Sequence, residues 1–359
     1  MDIEKLHAEC LLAPLTDAMF KNACASLNER FTIQRNRLTG YGTDDGLVSA
    51  YTAFYMPTNM KKLSFVLDRL SRLPLKEDTP LEVIDFGCGP GTFGFALYDI
   101  LQSGDINALA STPIVRYHFV DTAPGMLRQA KKIQQHLYPQ MDALFTTSVP
   151  AAKQHPEQRL VLLGNVANEM NTTALEMLLK ELAADVLVFV EPGTRASFVQ
   201  MRSLRAGLLA EGYRIVYPCP TQEACPLNGG GDDWCHQVLK ASLEPAVARL
   251  GQLAGLDRTV MPFIGHVYTR SQTRSQLAEL RQSALLFRLK THSKHAFFWE
   301  VCMATQEGLQ LKKVELPKRS HSRQAQKALE HVCAGQRIRF EVEKTLGNGT
   351  LRIRNVEVT

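Results

Sequence analysis

The apolar positions change rhythm twice along this 359-residue chain. Up to about residue 75 they recur at helical spacing. Leu63, Val66, Leu67 and Leu70 share one face of a helix over 60–70, and Pro57 belongs in a first turn or at a boundary. Pro74 and Pro80 bracket a linker. From Leu81 short apolar runs alternate with glycine turns and amphipathic stretches. They predict strands over 81–86, 114–121, 143–147, 160–166, 186–191 and 213–217. Helices are predicted between them over 92–101, 124–137, 173–183 and 198–211. Repeated strand–helix units imply a parallel sheet covered on both faces. The tail returns to β: 297–304 with 309–316, and 337–344 with 350–358, read as hairpins about Glu307-Gly308 and Gly347-Asn348-Gly349.

Composition adds two constraints. No apolar run approaches the ~20 residues that cross a bilayer, so no membrane partner is expected. The opening residues lack the basic-then-apolar layout of a signal peptide and the Arg-rich character of a transit peptide, and a cytoplasmic protein is expected. The net charge of +5 is modest, but its distribution is uneven. From Lys312 onward eleven Lys and Arg face five Glu. A basic tail behind a near-neutral body suits a polyanionic partner, and a merely solvated basic face is the plainer alternative.

The chemistry concentrates in Asp85-Phe86-Gly87-Cys88-Gly89-Pro90-Gly91, directly after the first predicted strand and before a helix. Glycines there let the chain turn tightly and let a ligand approach the main chain. Asp121 closes the second strand, where an acceptor for ribose hydroxyls belongs in this fold class. The spacing fits methyltransferases better than nicotinamide enzymes. The expected fold is therefore α/β, a class I (Rossmann-like) methyltransferase sheet. The expected cofactor is S-adenosylmethionine, held by Asp85, Gly87, Gly89, Gly91, Asp121 and Asn165. No catalytic residue is assigned. After the fourth strand stands Asn165-Val166-Ala167-Asn168-Glu169-Met170, where amino-methylating enzymes of nucleic acids carry Asp/Asn-Pro-Pro-aromatic. Pro218-Cys219 comes one strand too late for a cytosine-C5 nucleophile.

Three of the eight cysteines, Cys219, Cys225 and Cys235, crowd into a Pro/Gly-rich loop ending Asp233-Trp234-Cys235-His236. So little apolar material would be costly to order without a staple, and thiolates converging on a metal would supply one. Structural zinc favours closer Cys pairs than this spacing, whereas iron–sulfur clusters accept varied spacings with a distant fourth ligand. Candidates for that ligand are Cys302, then Cys333 or His236, and three free cysteines are the bland reading. Cys88 is expected to be a small filler, Trp234 a core aromatic, and His236 a hydrogen-bonding neighbour of the site. The predicted domains are an N-terminal helical region over 1–75, the cofactor-binding domain over 76–217, a Cys-rich cluster segment with the last sheet strands over 218–305, and a small basic β module over 306–359.

Four stretches together resemble the small-ribosomal-subunit methyltransferase-like family, a mitochondrial ribosome assembly factor with bacterial relatives. They are 50–70, 83–91, Val188-Phe189-Val190-Glu191-Pro192-Gly193, and 218–236 with its closing Asp-Trp-Cys-His. The resemblance covers most of 45–305. It implies a [4Fe–4S] cluster on Cys219, Cys225 and Cys235 with Cys302 as the fourth ligand, zinc being the alternative metal. It also implies S-adenosylmethionine at the glycine loop and contact with small-subunit ribosomal RNA or the assembling small subunit. On this reading the chain is an assembly factor. The alternatives are an active RNA methyltransferase, with Asn165, Asn168 or Glu169 lining its acceptor pocket, and a small-molecule methyltransferase with a zinc-stapled loop.

Overall fold

A computed structural model describes all residues except 33–39, 71–74, 77–78, 104–113, 151–157, 228–232, 272–273, 291 and 359. Pro74, one end of the expected linker, and the glycine run after Cys225 lie outside the described residues. The chain forms two compact units, Met1–Glu191 with Ala241–Met261, and Pro192–Lys240 with Pro262–Thr359. Among the described residues no helix is long and apolar enough to cross a membrane.

The first unit opens with helices α1 (Ile3–Lys5), α2 (Asp17–Thr32), α3 (Asp45–Ala50) and α4 (Met56–Leu67). Asp44 caps α3 by accepting the Gly46 and Leu47 N–H groups at 2.8 and 3.0 Å. A π-helical turn over Tyr51–Tyr55 joins α3 to α4. Pro57 stands in the first turn of α4, where no partner for its missing N–H is needed. Strands β1 (Leu81–Phe86), β2 (Ile114–Val120), β3 (Ala143–Thr146), β4 (Gln158–Gly164) and β5 (Val186–Pro192) alternate with α5 (Thr92–Ser103), α6 (Pro124–Leu137) and α7 (Thr172–Leu182). The order β3-β2-β1-β4-β5, with β1 through β4 pairing in parallel with their neighbours, is that of an α/β class I methyltransferase-like fold. β1 and β4 are buried almost throughout, which explains their unbroken apolar runs.

The chain then passes into the second unit with α8 (Arg195–Ala210), β6 (Arg214–Tyr217) and β7 (Gln237–Lys240), and returns to the first for α9 (Pro245–Ala254). There Val247 packs with Phe20, Leu27 and Phe54. The rest of the second unit is β8 (Val260–Thr269), antiparallel to β6, then α10 (Arg274–Arg281), β9 (Ala284–Leu289), β10 (Ala296–Thr305), β11 (Gly308–Pro317), α11 (Arg323–Glu330), β12 (Arg337–Thr345) and β13 (Leu351–Val358).

β9 to β13 close into a barrel in the order β10-β11-β13-β12-β9. Both predicted hairpins are present within it. What periodicity did not reveal is closure. The barrel starts at Ala284 and so reaches back across the boundary expected at 305, because β9 pairs with β12 some fifty residues downstream as well as with β10. Phe297, Trp299, Val301, Val314, Leu316, Ile338 and Ile353 fill it.

Candidate functional site

β1 lies between β2 and β4, the point where the strand order reverses, and ligands of open α/β sheets bind outside the strand C-termini at such a point. The glycine loop leaves the end of β1 there. Gly87 has φ +64° and a Cβ on it would stand 2.4 Å from Val166 Cγ2, so only glycine fits. Gly89 has φ +55° but faces open space, with nothing within 4 Å of where a Cβ would be. The first glycine closes the turn, and the second leaves a ligand room to lie on the backbone.

Two carboxylates brace the loop and the helix behind it. Asp121, just past β2, accepts the Gly89 N–H and the Ala123 N–H, each at 2.8 Å, and so ties the loop to the start of α6. Burial pushes its pKa up, against those two hydrogen bonds. Asp85, at the end of β1, is 1 % exposed. Its Oδ2 accepts the Gly94 N–H at 2.8 Å, while Oδ1 is buried without a hydrogen-bond partner. Burial pushes the Asp85 pKa up to about 7, although the Gly94 and Phe93 N–H groups oppose it. An unmet buried acceptor costs about 1–3 kcal/mol, which a ligand donating to Oδ1 would recover. Cys88 is buried and its thiol pKa is raised by burial, in keeping with a filler.

Asn165 follows β4 in a left-handed conformation, φ +59°. Its N–H donates to the Val190 carbonyl at 2.9 Å. The turn after it is fastened by Glu191, fully buried at the end of β5. Oε1 accepts the Val166 and Ala167 N–H groups at 3.1 and 3.0 Å, and Oε2 accepts that of Asn168 at 3.2 Å. Burial lifts the Glu191 pKa to about 8 against these bonds. Lys62 on α4, also buried, attracts Glu191; burial and the Arg258 charge bring its pKa down to about 7. Arg258 in turn donates to Thr58 Oγ1 at 2.7 Å and Asn59 Oδ1 at 2.8 Å, and lies over the Tyr55 ring. Sequence reasoning missed Lys62, Glu191 and Arg258. Lys62 shares its helix face with the polar Thr58 and Asn59, and Glu191 figures only as part of the Val188–Gly193 stretch, so no local signal marks their roles.

In the second unit Cys219, Cys225, Cys235 and Cys302 line one cavity together with Phe287, Leu309 and Leu311. Cys333 and His236 are not among its lining residues. Burial pushes the Cys225, Cys235 and Cys302 thiols up, reinforced by the neighbouring cysteines. Among the described residues no three His, Cys, Asp or Glu side chains stand close enough to hold a metal ion as they are. The donor set nevertheless suits a thiolate-bound group. Arg205 lines the same cavity, 5 % exposed, and its Nε is buried with no partner.

The expectation that little else would order this loop is corrected by the structure. Two arginines of α8 hold its backbone. Arg205 Nη2 donates to the Thr221 and Glu223 carbonyls at 3.0 and 2.7 Å, and Arg202 Nη1 to the Leu227 carbonyl at 2.7 Å. Arg288 pairs with Asp233, and the Trp234 indole N–H donates to the Gly193 carbonyl at 3.0 Å. His236 Nδ1 lies 3.2 Å from the Trp234 carbonyl.

A family model described as mitochondrial small ribosomal subunit Rsm22 matches residues 46–319. A search of curated proteins returns no match. Among solved structures, magnesium protoporphyrin IX methyltransferase from Synechocystis PCC 6803, with bound SAM, is 16% identical with a TM-score of 0.35, covering 72% of this chain and 99% of its own. The plantazolicin methyltransferase BamL, in complex with a triazolic desmethylPZN analog and SAH, is 12% identical with a TM-score of 0.34, covering 75% and 100%. The fold assignment rests on the strand order and not on matches of that level.

Proposed function

The chain belongs to the mitochondrial small ribosomal subunit Rsm22 family, and on that premise we propose that it is an S-adenosylmethionine-binding factor of the small ribosomal subunit. The observation that carries the cofactor is the open space over Gly89, in the loop that follows the strand ending near Asp85, whose Oδ1 is buried and unmet. S-adenosylmethionine offers an ammonium group and ribose hydroxyls, donors for two acids that burial pushes toward the neutral form. Asp85 and Asp121 are assigned to these donors, the loop glycines to close main-chain contact, and Asn165 to the far wall.

The cysteine cavity is proposed as the seat of a [4Fe–4S] cluster on Cys219, Cys225, Cys235 and Cys302. Four thiols on one cavity and the unmet Arg205 Nε support it, since a guanidinium there would offset thiolate charge. Such a group, when bound, supplies a covalent staple for the 219–235 loop in addition to the arginine contacts.

Anaerobic purification followed by calorimetric titration with S-adenosylmethionine and iron, sulfide and zinc analysis tests both parts. Saturable binding that Asp85→Ala removes, with about four irons per chain and broad absorbance near ~400 nm, is the expected result. A folded chain that takes up no S-adenosylmethionine overturns the cofactor reading. Zinc or no metal overturns the cluster and leaves the cofactor reading standing. Methyl transfer is the second reading, favoured by the polar Asn165, Asn168 and Glu169 after β4. Tritium incorporation into small-subunit RNA, abolished by Asp85→Ala, would establish it.

A further inference from the structure

The barrel of the second unit has a definite topology. β9, β10 and β11 form an antiparallel meander, α11 follows the third strand, and β12 and β13 complete the barrel. β12 closes on β9, and β13 runs parallel to β11. Leu329 of α11 and Val332 just beyond it plug the interior. Five strands so connected, with a helix between the third and fourth, make the oligonucleotide/oligosaccharide-binding (OB) topology. Ligands of such barrels cross the outer face of the second and third strands, between the loops after the first and the fourth. Topology alone assigns no ligand; the side chains on that face decide.

Alternation along β10 and β11 settles which side chains point outward. Phe297, Trp299 and Val301 belong to the core, as do Val314 and Leu316. The opposite face therefore carries Ala296, Phe298 and Glu300 on β10, with Lys313, Glu315 and Pro317 across from them. At the end of this face near Ala296 lies a cleft of about 490 Å³. Three connections meet on it: Lys294 and His295 from the loop after the first strand, Lys318 and Arg319 from the turn after the third, and Arg352, just past the loop after the fourth.

Its charge is one-sided. Lys294 and Arg319 are exposed and have no ion-pair partner among the described residues. Lys318 lies 3.8 Å from Glu330 and over the Phe297 ring. Arg352 pairs with Glu315 at 2.9 Å but keeps a buried Nε without a partner. Four cations thus share a cleft that holds one carboxylate, Glu315. Phe298, partly exposed, sits directly opposite Glu315 in the strand register, an aromatic at the edge of a basic cleft.

We propose that this cleft binds single-stranded RNA, the phosphates tracking Lys294, Lys318, Arg319 and Arg352 and a base stacking on Phe298. RNA as the polymer rests on the small-subunit reading under Proposed function. A lone strand follows from the geometry, because a concave cleft with an adjacent aromatic admits unstacked bases that a duplex keeps inside. The other end of the same face turns into the cysteine cavity, through Cys302, Leu309 and Leu311, so the footprint is a few nucleotides, at the short end for an OB barrel.

Fluorescence anisotropy of the full chain with a labelled RNA of about 12 nucleotides, single-stranded or annealed to its complement, tests this. The single strand is expected to bind at least about tenfold tighter than the duplex. Lys294→Glu with Arg319→Glu, both at exposed positions, should weaken it a further roughly tenfold. The slope of log affinity against log salt should fall by about 0.7 for each phosphate no longer neutralised. Phe298→Ala should weaken binding with the salt slope unchanged, since stacking releases no counterions. Equal affinity for duplex and single strand, or binding indifferent to all three substitutions, overturns the proposal. S-adenosylmethionine affinity of the same variants shows that the first unit is folded, and an unchanged thermal unfolding transition shows the same for the barrel. Weaker RNA binding in those variants with cofactor affinity intact is the expected outcome. RNA binding absent from the native chain that still takes up S-adenosylmethionine would sink the cleft alone and leave the reading of the first unit untouched.

Discussion

The two candidate sites are built in opposite ways. The glycine-loop site is polar, made largely from one contiguous segment, and leaves an acceptor unmet: Asp85 Oδ1 is buried with nothing donating to it. The cysteine cavity is lined largely by apolar side chains, drawn from residues between 198 and 311, and its surroundings are well bonded by Arg202 and Arg205. The first is a socket whose electrostatics are completed by what enters. The second is a cavity whose walls are held by protein contacts alone. Loss of ligand should therefore register as lost binding energy in the first unit and as only part of the stability in the second.

The largest expected effect comes from the wall of the second site. Arg205→Met keeps the apolar stem but leaves the Thr221 and Glu223 carbonyls without their charged donor. It should lower stability by about 3 kcal/mol, measured as a shift in urea midpoint, with S-adenosylmethionine affinity unchanged. An unchanged midpoint would mean that the arginine contacts do not hold the loop, and the contrast between the two sites would fail. Next is Gly91→Ala in the first site. Its φ is +87° and the new Cβ would lie 2.3 Å from the buried Phe95 ring, so a loss of about 2 kcal/mol is expected in the same assay. Gly89→Ala sharpens the comparison from the other side. With open space around it the cost to folding is about 1 kcal/mol from backbone strain. Yet the methyl group occupies the ligand's place, and calorimetry should show cofactor affinity reduced tenfold or more.

The smallest effect is a pH dependence. The Asp85 carboxyl has its folded pKa near 7, above its ordinary 3.8, so in the free chain it works against stability as pH rises between those values. A bound donor favours the carboxylate, so binding releases a proton and affinity should increase from about pH 6 to about pH 8, by up to about tenfold. Asp85→Asn should flatten that profile. A flat profile in the native chain would remove Asp85 from the site.

Much of the first unit was readable because its signals are local. A buried strand, three glycines and an acid within seven residues already define a turn that a ligand can approach, and the helix over Pro124–Leu137 matches its expected bounds to the residue. Lys62, Glu191 and Arg258 were invisible because their meaning lies in mutual proximity across residues 62, 191 and 258, which no periodicity encodes. The same holds for β9. Its Ala-Leu-Leu-Phe-Arg-Leu run suits a strand or a buried helix turn equally, until pairing with β10 and β12 decides.

By itself the sequence determined the parallel α/β sheet, the glycine turn with its two acids, and the crowding of three cysteines into one loop, because backbone preferences and hydrophobic period act within a few residues. Only the tertiary structure decided the rest. It brought Cys302 to the cavity of Cys219, Cys225 and Cys235, left one Asp85 oxygen unmet, and closed five strands into a barrel whose outer face gathers cations from three separate connections. Burial, desolvation and strand pairing depend on neighbours far away in the chain, and those neighbours are chosen by packing.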